Sequence, residues 1–276
     1  MSLLTRRTTP NYTISLIGTL VLLLITPEQG RCQSQLRLAP FLGYYLNQHT
    51  STIPILSEPD SPHFPSFRGS GISLGLQAEY YLNRVWSIAA DVAYNDMSGS
   101  SEYREVNPTE DFFEVEYVSD GPPGTPIDTT ADIVVLHSAN AAYSSVSLGV
   151  SGKWRFITDS SLRVGLQLGF TLHTSTSTNY TQDVLLENWL ARFANSFNLP
   201  TENNGKRLFF YDADIPDHSP IRFGLRPGIF AEIGSDTSRT LFSPGIYYEY
   251  GVTTVQKSSD WRIHRLGVQL ALLFRL

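Results

Sequence analysis

The chain has 276 residues, of which 12% are aromatic and 17% charged, with a formal net charge of −6. That length allows one large all-β domain or two small ones. The composition excludes a disordered chain, and the lack of long apolar runs excludes a bundle of membrane-spanning helices. The acidic balance offers no basic footprint for nucleic acid.

Residues 1–32 read as a signal peptide. Arg6 and Arg7 form a positive start, and residues 14–25 form an apolar stretch, too short for the roughly 20 residues of a spanning helix. Gly30 and Cys32 supply small residues at −3 and −1, which predicts cleavage after Cys32 and a mature domain of residues 33–276. Acylation of Cys32 is the rival, but lipoprotein signals want a small residue where Arg31 stands. Cys32 is the sole cysteine, so the exported domain has neither a disulfide nor a thiolate metal site.

From residue 36 onward the dominant period is two, the signature of strands with two unlike faces. The first segment, residues 36–45, is the weakest, with Leu36, Leu38, Leu42 and Tyr44 on its apolar side. Residues 71–82 set Ile72, Leu74, Leu76 and Tyr80 against Ser73, Gly75, Gln77 and Glu79. Residues 85–95 set Trp86, Ile88, Val92 and Tyr94 against Ser87, Ala89 and Asp91. Residues 144–157 set Val146, Leu148, Val150, Trp154 and Phe156 against Ser147, Gly149, Ser151, Lys153 and Arg155. The alternation returns in residues 161–174, 220–234 and 241–252. It is clearest in residues 261–276, where Leu266, Val268, Leu270, Leu272, Phe274 and Leu276 oppose Arg265, Gly267, Gln269, Ala271 and Arg275. Leu273 is the exception on the polar face. A soluble strand keeps such a pattern for four to eight residues, whereas a tilted bilayer-crossing strand needs about ten.

The polar face carries small residues together with Arg37, Glu79, Asp91, Lys153, Arg155, Arg163, Arg222, Arg226, Glu232 and Glu249. Facing bulk water, such charges would not select neighbouring glycines. In a narrow barrel they share a crowded lumen, where glycine makes room and the charges pair. Short links (83–84, 158–160, 235–238) alternate with long ones (48–70, 96–143, 178–219, and a shorter 256–260), the rhythm of periplasmic turns and extracellular loops. Trp86, Trp154, Phe156 and Phe274 fall near the turn ends, and Tyr44, Tyr94, Tyr250 and Trp261 near the loop ends, as two interfacial girdles would. The fold expected is all-β: a single closed antiparallel up-and-down transmembrane β-barrel of eight strands, with ten as the alternative.

In this pattern, with its signal peptide and an ending Leu272-Leu273-Phe274-Arg275-Leu276, the chain resembles outer-membrane β-barrel proteins of the OmpA/OmpX type, including the PorT-like barrels. The ending is similar to the C-terminal signal read by the barrel assembly machinery, although Leu276 replaces the usual aromatic. The resemblance implies an outer-membrane location in a Gram-negative-type bacterium, with outer-membrane lipid or lipopolysaccharide as surroundings. It carries no catalytic motif.

The loops hold three candidate features. Residues 181–199 place Leu186, Trp189, Leu190, Phe193 and Phe197 on one face of an expected amphipathic helix, stopped by Pro200. Such a helix would cover the barrel mouth, lie on the outer leaflet or dock a partner. The acidic run Glu102, Glu105, Glu110, Asp111, Glu114, Glu116 and Asp120 matches no calcium-loop spacing and reads as a solvated loop. Within it, residues 112–118 with 132–136 alternate enough to extend a hairpin above the membrane, or to add two strands. His173 with Ser175 is the one local pair that suggests hydroxyl activation, and it is a weak one. The other histidines show no metal-ligand spacing. The expectation is a non-enzymatic barrel with no metal or cofactor and a side-chain-filled lumen. Its role would be structural, or binding of an extracellular or envelope protein through its loops. A lipid A-modifying acyl hydrolase or transferase, and a small-solute pore in a wider barrel, are the alternatives.

Overall fold

The computed structural model describes residues 36–50, 64, 66–107, 115–117, 133–188, 191–194, 200–235 and 238–276. The signal segment lies outside these residues. The strands are β1 (Leu36–Thr50), β2 (Ser66–Tyr81), β3 (Trp86–Asp96), β4 (Gly99–Val106), β5 (Val115–Tyr117), β6 (Val134–Thr158) and β7 (Leu162–Leu186). They continue as β8 (Ala191–Phe193), β9 (Thr201–Glu202), β10 (Arg207–Asp214), β11 (Ile221–Ile233), β12 (Thr240–Gly251) and β13 (Arg262–Arg275). No helix occurs among the described residues.

Eight of these strands form a closed ring in which every pairing is antiparallel: β1–β2–β3–β6–β7–β11–β12–β13. β13 returns to β1 in continuous register, from Arg37↔Arg275 to Thr50↔Arg262. The ten-strand alternative does not hold in this ring. Among the described residues β5 pairs only with β8, in a separate two-stranded sheet.

One end of the ring is closed by tight links whose local chemistry is plain. Between β2 and β3 the Asn83 side chain accepts hydrogen bonds from the Val85 and Trp86 amides at 2.8 and 2.7 Å, an Asx-type turn. Between β6 and β7 the Asp159 carboxylate accepts from the Ser160 amide. Gly234 leaves β11 with φ +133°, where a Cβ would meet the Leu241 side chain at 2.8 Å. All the long connections leave the opposite end.

That loop end carries a second layer of sheet. β6 and β7 are each 25 residues long and rise beyond the ring, flanked by β4 on β6 and by β10 on β7. The hairpin extension foreseen for residues 112–118 is thus built instead by Gly99–Val106, which pairs with Val134–Ala141. Residues 181–186 of the expected amphipathic helix are strand: Leu186 is the last residue of β7, paired with Val135, and Phe193 lies in β8, paired with Val115. Backbone partners on β6 and β10 outcompete a local helix, and the buried Leu186 and Phe193 fill a cluster with Val135, Val184, Ala191 and Leu208. Trp189, Leu190 and Phe197 lie outside the described residues.

Candidate functional site

The ring is inside-out relative to a water-soluble protein. Leu36, Leu38, Leu42, Tyr44 and Leu46 all point outward from β1 and are 39–55% exposed, and Leu148, Val150, Leu168 and Phe170 on β6 and β7 are 55–70% exposed. The alternate residues face the interior. There Arg37, Glu79, Asp91, Lys153, Arg155, Arg163, Arg222, Arg226, Glu232 and Glu249 are all buried. Arg265, on the inward parity of β13 and not among the charges singled out from the sequence, is buried with them.

These groups form two layers. Toward the turn end, Glu79 accepts from Lys153 Nζ at 2.7 Å, from Ser87 Oγ at 2.6 Å, and from Arg155. Arg155 also binds Glu232 at 2.7 Å, and Arg163 Nε reaches Glu232 at 3.1 Å. The Tyr81 hydroxyl donates to Glu232 at 3.2 Å, and its ring lies under the guanidinium groups of Arg37 and Arg155 at 5.6 and 4.4 Å. Toward the loop end, Arg226 pairs with Asp91. Glu249 receives His173 Nε2 at 2.9 Å and lies 3.8 Å from Arg265, which donates to Asn95 and Ser73 and stacks on Tyr45 at 4.1 Å. Arg222 sits over the Tyr143 ring at 4.7 Å.

The inward glycines serve this packing, with a difference from the expectation of room for charges. A Cβ at Gly149 would strike the Asp91 carboxylate at 2.6 Å, but at Gly228 and Gly245 it would strike the Tyr247 ring, and at Gly43 and Gly267 the Tyr45 ring. Most of the space goes to flat aromatic rings, over which the arginines then stack.

The interior is filled at both ends. Phe41, Leu241 and Leu273 pack with Ala39, Ala93 and Ala271, which accounts for Leu273 on the polar parity. Across the loop end, Phe64, Phe67, Met97, Tyr143, Tyr180 and Trp261 form a fully buried apolar cluster. Trp261 therefore does not belong to an outer girdle. It turns inward, and its Nε1–H donates to His49 Nδ1 at 3.1 Å, while His49 Nε2 donates to the Met97 carbonyl at 2.8 Å. Trp86, Tyr94, Trp154, Phe156, Tyr250 and Phe274 do face outward, and Trp86 stacks on Trp154 at 6.2 Å.

His173 bonds to residues other than Ser175. Its Nδ1 faces Ser145 Oγ at 3.3 Å, and its Nε2 faces Glu249 and, at 3.2 Å, Thr171 Oγ1. Sequence distance hid this serine, which β6 brings across from 28 residues away. A carboxylate–imidazole–hydroxyl chain is the shape of an activated nucleophile. Here Ser145 is fully buried, with Met97 Sδ 3.9 Å from its Oγ. The chain is a sealed element of the interior packing.

Above the ring the acidic run is only partly described. Arg104 on β4 pairs with Glu187, and Glu105 meets His137 Nε2 at 3.2 Å, with the His137 ring stacked on Tyr103 at 4.5 Å. Burial lowers the His137 pKa from its ordinary value, against the opposing pull of Glu105. Glu110, Asp111, Glu114 and Asp120 lie outside the described residues. No group of three metal-ligating side chains occurs among the described residues.

No protein-family model and no curated protein matches the chain in sequence. Among solved structures it is similar to the attachment invasion locus protein Ail of Yersinia pestis, at 10% identity and TM-score 0.31, covering 86% of this chain and 98% of that one. It is also similar to neisserial surface protein A, at 12% identity and TM-score 0.35, covering 87% and 97%. A third is the outer membrane protein OprG of Pseudomonas aeruginosa, at 8% identity and TM-score 0.33, covering 88% and 94%.

Proposed function

We propose that this chain is an integral outer-membrane β-barrel, exported by its signal peptide at residues 1–32. Residues 33–276 then form a sealed barrel that serves the envelope through its loop-end sheet. The observation that carries the reading is the inverted surface: large aliphatic side chains outside, ion pairs inside. Water would penalise that outer belt heavily, whereas a bilayer removes the penalty. The belt on β1 runs from Leu36 to Leu46. Ten residue steps at ~3.3 Å and a tilt near ~40° give a height of roughly 25 Å, that of an outer-membrane apolar band.

β6 and β7 mark where the membrane ends. Below Ser145 their outward residues are apolar and their inward ones polar. Above it, Val135, Ala139, Ala141 and Tyr143 turn inward, while Asn140 and Ala142 face out. Thr176 drops out of the ladder at the same level, between the pairs Ser145↔Ser175 and Ser144↔Ser177. This bulge moves the inward parity of β7 from Gln167, Thr171 and His173 to Thr178, Tyr180 and Val184.

The filled interior supports a binding or structural role over transport or catalysis. Biogenesis would pass through the barrel assembly machinery, with an extracellular or envelope protein docking on the loop-end sheet. Planar-bilayer recording of the purified protein is expected to show no step-like openings, and regular openings would overturn the sealed interior. Boiling is expected to shift its gel mobility, and surface proteolysis of whole cells to trim only the loop end. A protein that shows neither is not an outer-membrane barrel. Lipid A mass spectrometry with and without expression is expected to show no acyl change.

A further inference from the structure

Where the lipid-facing belt meets the loop end, the outward residues of β2, β1 and β13 come into register. In the last apolar row, Leu46 lies between Ser70 and Leu266, beside Tyr248 of β12. One step higher, Arg68, Gln48 and His264 lie side by side, and one step higher again Arg262 pairs with Thr50. Between the first two of these rows is a cleft of about 290 Å³, lined by Leu46, Gln48, Arg68, Tyr248, His264 and Leu266, with Arg262 one step above it.

The Arg68 side chain is exposed and, among the described residues, makes no ion pair or hydrogen bond. Arg262 is half-buried, with one N–H toward the Tyr250 hydroxyl at 3.4 Å and its Nε without an acceptor. The cleft wall is held in place. The Gly251 amide donates to His264 Nδ1 at 3.2 Å, His264 Nε2 reaches Thr50 Oγ1 at 3.4 Å, and Tyr250 stacks on the imidazole at 4.7 Å. Two exposed carboxylates border this sector: Glu102, two residues along β4 from Ser100, the β-partner of Arg68, and Asp260, two residues before Arg262. Among the described residues neither carboxylate forms an ion pair with Arg68 or Arg262, which leaves both guanidinium groups open to an anion.

We propose that this cleft binds lipid A, with a phosphate of its disaccharide on Arg68 and Arg262 and an acyl chain lying down the wall of Leu46 and Leu266. The proposal rests on the membrane reading above, with the loop end facing outward. Guanidinium groups hold a phosphate by paired, charge-assisted hydrogen bonds. A free phosphate would have no use for the aliphatic row directly beneath, whereas an amphiphile matches both at one height. The headgroup of lipid A carries its phosphates on a rigid sugar pair above several chains, which suits two arginines separated by a strand better than a single mobile glycerophosphate does.

The test is native mass spectrometry of the full-length protein in detergent, titrated separately with bisphosphorylated lipid A, monophosphorylated lipid A and phosphatidylglycerol. Wild type is expected to retain the bisphosphorylated lipid best. The R68Q/R262Q double variant should lose about tenfold in affinity, the scale of a lost charge-assisted contact. R84Q, at the exposed arginine of the opposite turn end, should leave it unchanged. Equal binding by the double variant, an equal loss in R84Q, or equal binding of phosphatidylglycerol would each overturn the site. Heat-shifted mobility, expected in every variant, separates the two levels: its absence in wild type would overturn the membrane reading, and the lipid site with it.

Discussion

The two halves of the β6–β7 hairpin are built on opposite plans, although the same strands run through both. In the ring, Lys153, Arg155 and Arg163 are buried while Leu148, Leu168 and Phe170 are exposed. Beyond the ring, Val135, Val184 and Leu186 are buried while Asn140 is exposed. A strand cannot choose which face is apolar without reference to its solvent, so on the membrane reading proposed above the inversion records a change of solvent. The lesson concerns what holds each half together. In a bilayer the ring would gain little from hiding apolar surface from water and would depend on closure and buried ion pairs. The extension depends on an ordinary small core.

That contrast can be broken most sharply inside the ring. E79Q removes the carboxylate shared by Lys153 and Arg155 and leaves both cations short of a partner. A loss of about 3–5 kcal/mol is expected from urea unfolding in lipid vesicles, since stranding a buried charge costs on that order. E105Q, on the half-exposed carboxylate above the ring, should cost no more than about 1 kcal/mol. If the two variants lose equally, the interior network does not carry the ring.

The outer face offers the next test. L148R puts a guanidinium in the middle of the apolar belt, at an expected cost of about 2–4 kcal/mol in lipid. N140R lies on the outward face of the same strand beyond the inversion and should stay within about 0.5 kcal/mol of wild type. Equal costs would place both positions in one solvent.

The smallest expected effect lies in the extension. His137 is buried there with its pKa below the ordinary 6.5. The neutral imidazole is thus favoured in the folded sheet, and its contribution is present above about pH 6.5 and lost as the pH falls below it. Hydrogen exchange, corrected for its intrinsic pH dependence, should show the β4–β6 amides near His137 opening more readily at pH 5 than at pH 7.5. The ring amides should not change, and H137Q should flatten the response.

Much of the architecture could be read from residue order because a ring with an apolar outside and a polar inside imposes so simple a rule. Within the ring each strand keeps the same two faces, so the alternation placed Arg155 and Glu232 in one interior without saying which charges pair. Two residues escaped for specific reasons. Trp261 has the composition of a girdle aromatic, but it stands just before β13 and rotates into the cluster around His49. Ser145 lies 28 residues from His173, and only the β6–β7 register brings the two side chains together.

The segment at residues 181–199 shows the limit most clearly. Leu186, Trp189, Leu190 and Phe193 have helical spacing, and local spacing is all that a sequence offers there. The choice between helix and strand at Leu186 fell to Lys206 beside β10, whose carbonyl accepts from the Leu186 amide 20 positions away, and to Val134 on β6, whose carbonyl accepts from the Glu187 amide 53 positions away. Sequence alone determined the strand faces, the tight turns and the charged character of the interior, because these follow from short-range alternation and turn chemistry. Tertiary structure decided which charges pair, where the bulge at Thr176 switches the faces of β7, and how the loop end is roofed. Those depend on contacts between residues far apart in the chain, which no local pattern encodes.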